Sequence, residues 1–447
     1  MTARQSRRIG FLLAAVLAAL SGAAWAADAP ATPADDEAGF QTLFNGKDLT
    51  GWEGDSRLWS VRDGAIHGET TAEKAAQGNT FLIWKGGKPK DFILRLKFRV
   101  GDANNSGVQF RSSVVGQPGS RNPWVVSGYQ AEVNEGPGHV GLLYHERGRK
   151  RLASVGEFVI LEAKDGEMVK EVAGQVGEPK QMIQAGYYKS NKTPEWNEYE
   201  ITCRGNHVMM KLNGVQTVEL IDNDKAGRCM EGVLALQLHA GAPMSVDFKD
   251  IRLKGLPPHY GEAVRLFNGK DLTGWTYSSD AQKDVWSVKD GVLCDAGRPA
   301  GYLRTEADYR DFVVRMQVRH LSKGNGGVLL RMTGKDGVWP RSIECQGMVD
   351  NKGDIFNIGQ FPMKTDPART SGRRTKKMHP SNEKPLGEWN EYELMLDGGR
   401  LEIRVNGLLQ NFADDCEHIA GKICLQSEGS RMEYRNIVLI PIQKAKD

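Results

Sequence analysis

Among the 447 residues the six cysteines form no Cys-X-X-Cys pair, and no His-Glu-X-X-His occurs. Neither a structural zinc ribbon nor a zincin centre is therefore indicated. Glycine-rich phosphate loops and long helical periodicity are missing too, which argues against a nucleotide-binding α/β design. After the first apolar run, no stretch is apolar enough to cross a bilayer as a helix.

That first run is Ile9–Leu20, preceded by Arg4, Arg7 and Arg8 and followed by Ala24-Trp25-Ala26. A basic start, a short apolar stretch and a small-x-small site read as a signal peptide over 1–26, so the expected location is periplasmic or secreted. Removing its three arginines from 59 basic residues leaves 56, equal to the 56 acidic ones. A neutral mature chain has no basic field for nucleic acid, and a neutral partner such as a saccharide or polysaccharide fits better. An oxidising compartment permits disulfides, but no pairing of the cysteines is assigned.

What the chain does have is a duplication. Leu-Phe-Asn-Gly-Lys-Asp-Leu-Thr-Gly-Trp occurs at Leu43–Trp52 and again at Leu266–Trp275, 223 positions apart. That offset is the length of a domain, so two related domains stand in tandem. Further pairs follow in the same order: Trp59–Gly64 with Trp286–Gly291, Asp91–Arg99 with Asp311–Arg319, Asn105–Arg111 with Asn325–Arg331, Trp196–Glu200 with Trp389–Glu393, and Leu236–His239 with Leu425–Glu428. The expected layout is a flexible leader over 27–39, a first domain over 40–254, a linker over 255–262 containing Pro257-Pro258, and a second domain over 263–443. So short a linker predicts domains in contact.

Phe92, Leu94, Leu96, Phe98 and Val100 alternate with polar residues, the period of a half-buried strand. Alternating runs meet at Asn213-Gly214 and Asn406-Gly407, hairpin turns whose residues tolerate positive φ. Many short antiparallel strands with one apolar face predict an all-β fold of two stacked sheets, a jelly-roll sandwich, in each repeat. The decapeptide and its tryptophans read as structural.

The decapeptide, WSVRDG, DFILRLKF, GYQAEV at Gly128, WNEYEI at Trp196, and LQLHAG with FKDIRL together resemble the 3-keto-disaccharide hydrolase domain family, in two tandem copies spanning nearly all the mature chain. The resemblance implies a concanavalin A-like lectin or glucanase fold. It also implies cleavage of glycosides oxidised to a ketone at C3. Catalytic roles are not carried over from the family.

Parity selects candidate residues without the resemblance. With Val108, Phe110, Tyr129, Ala131, Leu236 and Leu238 inward, Gln109, Arg111, Gln130, Glu132, Gln237 and His239 fall on the opposite face. Repeat two offers Arg331, Glu344, Gln346, Gln426 and Glu428. Such a face can hydrogen-bond sugar hydroxyls; an ordinary solvated sheet face is the alternative. His139, Tyr144, His145, Glu146 and Arg147 gather in the segment after Glu132, whereas repeat two has Asp350, Asn351 and Asp354. The basic loop Phe361–Glu388, with Arg369, Arg373, Arg374 and Lys377, reads as solvated and mobile, with a lid or interdomain strap as the other reading.

For cleavage beside a C3 ketone, Glu132 is the expected base, Arg111 the charge stabiliser, and His139 or His145 the acid, with Glu146 nearby. No cofactor is assigned, and a divalent cation is left open. The rival expectation is a non-catalytic protein with two lectin-like modules; a third is a structural surface protein. A split, with repeat one catalytic and repeat two binding, fits the shorter middle of repeat two: 64 residues from Asn325 to Trp389, against 91 from Asn105 to Trp196.

Overall fold

The computed structural model describes residues 37–101, 105–134, 136, 138–184, 188, 195–256 and 260–443. The expected signal peptide, most of the leader and Pro257-Pro258 lie outside these residues. Four antiparallel-rich sheets make up the rest, two built from strands between Gln41 and Gly255 and two from strands between Val264 and Pro441. The chain is thus two tandem jelly-roll sandwiches. No helix among the described residues is long and apolar enough to cross a membrane.

Each sandwich forms because its strands are two-faced. Phe92–Val100 buries every second residue, with Phe92, Leu94, Leu96 and Phe98 at most 1% exposed. These side chains meet Val108, Phe110, Tyr129, Ala131, Leu234 and Leu236 of the facing sheet in one apolar core. The second sandwich repeats this with Phe312, Val314, Met316, Val328, Ile343 and Leu425. The Asn-Gly hairpins form as expected, Asn213 at φ 50° and Asn406 at φ 48°.

The decapeptide is a self-closing clasp. Asn45 Oδ1 accepts from the Lys47 and Asp48 amides, Asp48 Oδ1 accepts from the Thr50 amide, and the buried Trp52 indole donates to the Leu43 carbonyl. Asn268, Asp271 and Trp275 repeat every one of these bonds. Its identity in both copies is explained by this local geometry.

The domains touch back to back. The sheet carrying Phe92–Val100 and Asn197–Arg204 turns its outer face to the sheet carrying Phe312–His320 and Asn390–Asp397. Phe158, Ile160, Ile221, Val313, Val438 and Ile440 pack there as an apolar seam. Around it run buried charges: Arg204 pairs with Glu393 at 3.0 Å, and Lys211 with Glu391 at 3.3 Å. Arg315, 3% exposed, reaches Glu391 at 2.6 Å, Glu393 at 3.2 Å and Glu219 at 3.3 Å. A cavity of about 450 Å³ remains beside them, walled by Arg95, Glu200, Met209 and Met395. Two sheets are therefore central, and the other two, here called the front sheets, face outward on opposite sides.

Candidate functional site

The first front sheet runs Lys150–Ala153, Leu143–Glu146, Val126–Asn134, Asn105–Val114, Val233–Leu238, Thr80–Trp84 and Trp52–Glu53. Register brings its outer residues together. Gly107 lies opposite Glu132 and Gln109 opposite Gln130. Gln130 in turn lies opposite Tyr144, and Tyr144 opposite Arg151. Gly107 has a steric reason: a Cβ there would come within 2.4 Å of the Gln130 side chain.

The amides are ordered into a chain. Ser112 Oγ donates to Gln109 Oε1 at 2.9 Å, and Gln109 Nε2 donates to Gln130 Oε1. Gln237 Nε2 donates to the same oxygen at 3.1 Å. With its oxygen so occupied, Gln130 turns Nε2 toward Glu132 Oε2 at 2.8 Å. Asn105 Nδ2 donates to the other Glu132 oxygen at 2.6 Å. Behind the strand, the Tyr199 hydroxyl crosses the core to the Glu132 carbonyl, which also accepts the Gly141 amide.

Glu132 is 8% exposed. Burial raises its pKa above the ordinary glutamate value, against the opposing pull of the Gln130 and Asn105 amides and of His239; the nearby Glu146 charge adds to the rise. A buried carboxylate with raised proton affinity beside other titratable groups is a common signature of a functional site. Glu146 accepts from Asn79 Nδ2 at 3.2 Å. His239 is half-buried at the end of its strand, Nδ1 donating to the Ala240 carbonyl at 2.6 Å, which leaves Nε2 as the ring's second nitrogen. Glu132, Gln109, Gln130, Gln237 and His239 thus gather on one face, as parity expects, and Tyr144 and Glu146 from the following segment join them.

Several expectations fail. Arg111 is not on this face. A bulge after Phe110 sets Arg111 at φ 48° and turns its side chain into the protein, where it is fully shielded. There it donates to the carbonyls of Lys90 and Gly205, both at 2.7 Å, and to Asp91 at 3.0 Å. Arg331 does the same in the second domain, at φ 50°, donating to the carbonyls of Arg310, Gly398 and Glu417. Both arginines tie loops together and cannot stabilise charge on substrate.

His145 also turns away, since it lies opposite Tyr129 on the core side of the strand. Its ring packs on Tyr129 and receives Arg149 Nε at 3.2 Å; burial and Arg149 push its pKa down to about 4. It is neutral at pH 7 and has no access to the outer face. Arg147 sits exposed in the hairpin turn at φ 52°, and His139 is exposed in the preceding loop beside Gly136. Parity missed three residues: Asn105, Asn79 and Arg151. Asn105 was legible in the shared Asn-X-Gly motif; Arg151 needed the hairpin register.

The second front face is built differently. Gly327 lies opposite Gln346 and Leu329 opposite Glu344. Gln346 therefore holds the place of Glu132, and Glu344 that of Gln130. The Tyr392 hydroxyl donates to the Gln346 carbonyl at 2.7 Å, as Tyr199 does to Glu132, which fixes the correspondence. Glu428 stands where His239 does and accepts from Asn325 Nδ2 at 2.6 Å. Burial and the Glu428 charge push the Glu344 pKa up to about 7, Arg373 opposing. Loop Phe361–Glu388 is no free loop: Thr370–Ser371 and Arg374–Thr375 extend this sheet, and Arg374 is held by Asp354 and Asn351. Its Arg373 and the preceding Trp339 were missed as face residues.

Among the described residues, no group of three or more His, Cys, Asp and Glu side chains could hold a metal ion. Both Glu132 oxygens accept amide hydrogens. All six cysteines are unpaired thiols.

A 3-keto-disaccharide hydrolase from Bacteroides thetaiotaomicron is 22% identical over 194 residues, covering 39% of this chain and 66% of that protein's own length. A candidate glycosyl hydrolase from Parabacteroides distasonis shares 22% identity at a TM-score of 0.31, covering 41% of this chain and 94% of the other. A β-glucanase from Bacillus licheniformis shares 11% at a TM-score of 0.31, covering 41% and 99%. The 3-keto-alpha-glucoside-1,2-lyase-like domain family matches residues 39–254 and again 262–440. With most of its length accounted for by two such matches, the chain belongs to the 3-keto-alpha-glucoside-1,2-lyase-like domain family.

Proposed function

We propose that the chain is an exported carbohydrate-active enzyme whose first front face cleaves 3-keto-glycosides. The observation that carries this is Glu132: a buried carboxylate, raised in proton affinity, aimed by two amides and bordered by Glu146 and His239. A C3 ketone acidifies the C2 hydrogen. Glu132 takes that proton, and the electron pair moves into an enolate on the C3 oxygen. Collapse of the enolate forms the C1–C2 double bond and breaks the C1–O bond. His239 or Glu146 protonates the departing oxygen, and water added across the double bond completes net hydrolysis. With Arg111 in the core, charge on the C3 oxygen falls to Tyr144 and Arg151, which share the face.

The basic start and apolar run of the sequence support export to the periplasm or outside the cell. A non-catalytic lectin-like protein is the second reading, favoured by the divergence of the second face. The test is turnover of a 3-keto-glucoside, with loss of C2 deuterium followed by NMR. Glu132→Gln should lower kcat by about 10²–10⁴-fold, the range for removing a positioned base. Wild-type protein that binds the compound without turning it over would leave the lectin reading standing, and a Glu132→Gln variant within threefold of wild type would refute Glu132 as the base.

A further inference from the structure

The second front face keeps a buried carboxylate, Glu344, but not the arrangement of that reaction, and it keeps the pieces of recognition. Moving the carboxylate from the place of Glu132 to that of Gln130 shifts it two residues, about 6.6 Å along the strand. The imidazole position holds Glu428, and the place of Gln109 holds Leu329, which packs into an apolar patch with Tyr302, Met332, Ile358 and Cys424. An aligned base with an imidazole partner is not retained.

Unused acceptors are retained. Gln426 is 2% exposed, and its Oε1 has no donor. That oxygen lies over Gly327, where a Cβ would come within 2.4 Å of it, and the Glu344 side chain adjoins the same spot. Asn325 gives its Nδ2 to Glu428 and is left with Oδ1 lacking a donor. A buried amide oxygen without a donor costs about 1–3 kcal/mol, so a ligand hydroxyl there recovers what the fold has left unmet.

An aromatic wall stands beside them. Trp339 is 56% exposed, but it is not loose: its indole donates to Glu428 Oε1 at 3.0 Å. The Arg373 guanidinium lies 5.9 Å from its ring centre and 5.6 Å from that of Phe356. Leaving a fixed indole in water wastes apolar surface unless something stacks on it. The ligand that matches has a flat C–H face and outward hydroxyl donors.

We infer that the second domain is a saccharide-binding site of its own, stacking a neutral, unoxidised sugar ring on Trp339 and taking its hydroxyls at Gln426 and Asn325. It is not a second reaction centre. Because the two front faces point away from each other, a sugar held here is not the one being cleaved. The second domain tethers the protein to polysaccharide and raises the local concentration of chain ends at the first.

Isothermal titration of full-length protein with cellotetraose, laminaritetraose and maltotetraose tests this. One of the three should bind saturably at one site per chain. Trp339→Ala and Gln426→Leu should each weaken that binding at least tenfold, while Glu132→Gln leaves it within twofold. Trp339 is exposed, so its variant should melt with wild type; the melt checks folding. Turnover of a small 3-keto-glucoside should survive Trp339→Ala. No saturable binding by any of the three, equal binding by Trp339→Ala, or loss in Glu132→Gln instead would each overturn the assignment, whatever becomes of the catalytic reading.

Discussion

Arg111→Lys separates a structural arginine from a catalytic one. The native side chain spreads its fork over Lys90 O, Gly205 O, Cys229 O and Asp91 with no exposure to water. Lysine keeps the positive charge near Asp91 but cannot span the fork, so about two of the three carbonyls lose their donor. At about 1.5–2 kcal/mol each, the loss is about 3–4 kcal/mol. For a domain of this size each kcal/mol moves the melting midpoint by about 2–4 °C, giving a fall of about 6–16 °C. Removing the charge altogether, as in Arg111→Met, also strands Asp91 in the interior and costs about 3–5 kcal/mol for the broken pair alone. That total approaches the whole stability of a typical domain, so lysine is the informative change. Differential scanning calorimetry gives the midpoint; kcat is measured well below it, where the variant is folded. Unchanged kcat with a lowered midpoint is expected. A midpoint within 2 °C of wild type together with a hundredfold loss of kcat would refute the placement of Arg111 away from substrate.

Two more outcomes follow from the charges. Arg315→Met should destabilise by about 3–5 kcal/mol at pH 7, because three carboxylates lose their shared cation inside the domain interface. Glu391 and Glu393 are held below the usual carboxylate range, Glu391 at about 2; desolvation by burial opposes this, and Lys211, Arg204 and Arg315 overcome it. Their stabilisation is therefore full above about pH 4.5 and lost as pH falls toward 2. The gap between variant and wild type should narrow between pH 7 and pH 3.5 in thermal melts. Gln130→Leu removes a donor that lowers the Glu132 pKa. The rising limb of its kcat/KM profile should then move to higher pH, and a limb moved the other way would contradict Glu132 as the base.

The fold was largely legible because a strand that buries one side must alternate. Phe92–Val100 shows this, and the Asn-Gly turns close hairpins where positive φ is cheap. Parity also placed Gln109, Gln130, Glu132 and Gln237 on one face. It failed at Arg111 because a bulge inserts a residue at positive φ, and a count of two cannot register an extra residue. His145 was misplaced for another reason: a cluster of polar residues was read as one site, whereas consecutive strand residues face opposite ways. Arg204, Lys211, Glu219 and Arg315 look like a solvated outer face in any single strand. Only the docked partner sheet reveals that they are buried, and no local pattern encodes a partner. Trp339 and Arg373 come from loops whose path across the face is set by tertiary packing.

The duplication itself helps to sort scaffold from site. Matching residues away from the front faces hold the architecture: Arg111 with Arg331 binds loop carbonyls, Tyr199 with Tyr392 braces one strand carbonyl, and Asn213 with Asn406 closes one turn, whereas Asn105 with Asn325 and Gln237 with Gln426 match on the faces themselves. Positions equal in register but unequal in chemistry lie on the front faces: Gln109 against Leu329, Gln130 against Glu344, Glu132 against Gln346, His239 against Glu428. A shared ancestor explains the first group without any shared ligand, since both sandwiches must solve the same packing problem. The second group is free of that packing problem and changes with what each face meets. Under that logic the two faces should not compete for one ligand, and a compound that occupies one should leave the affinity of the other unchanged.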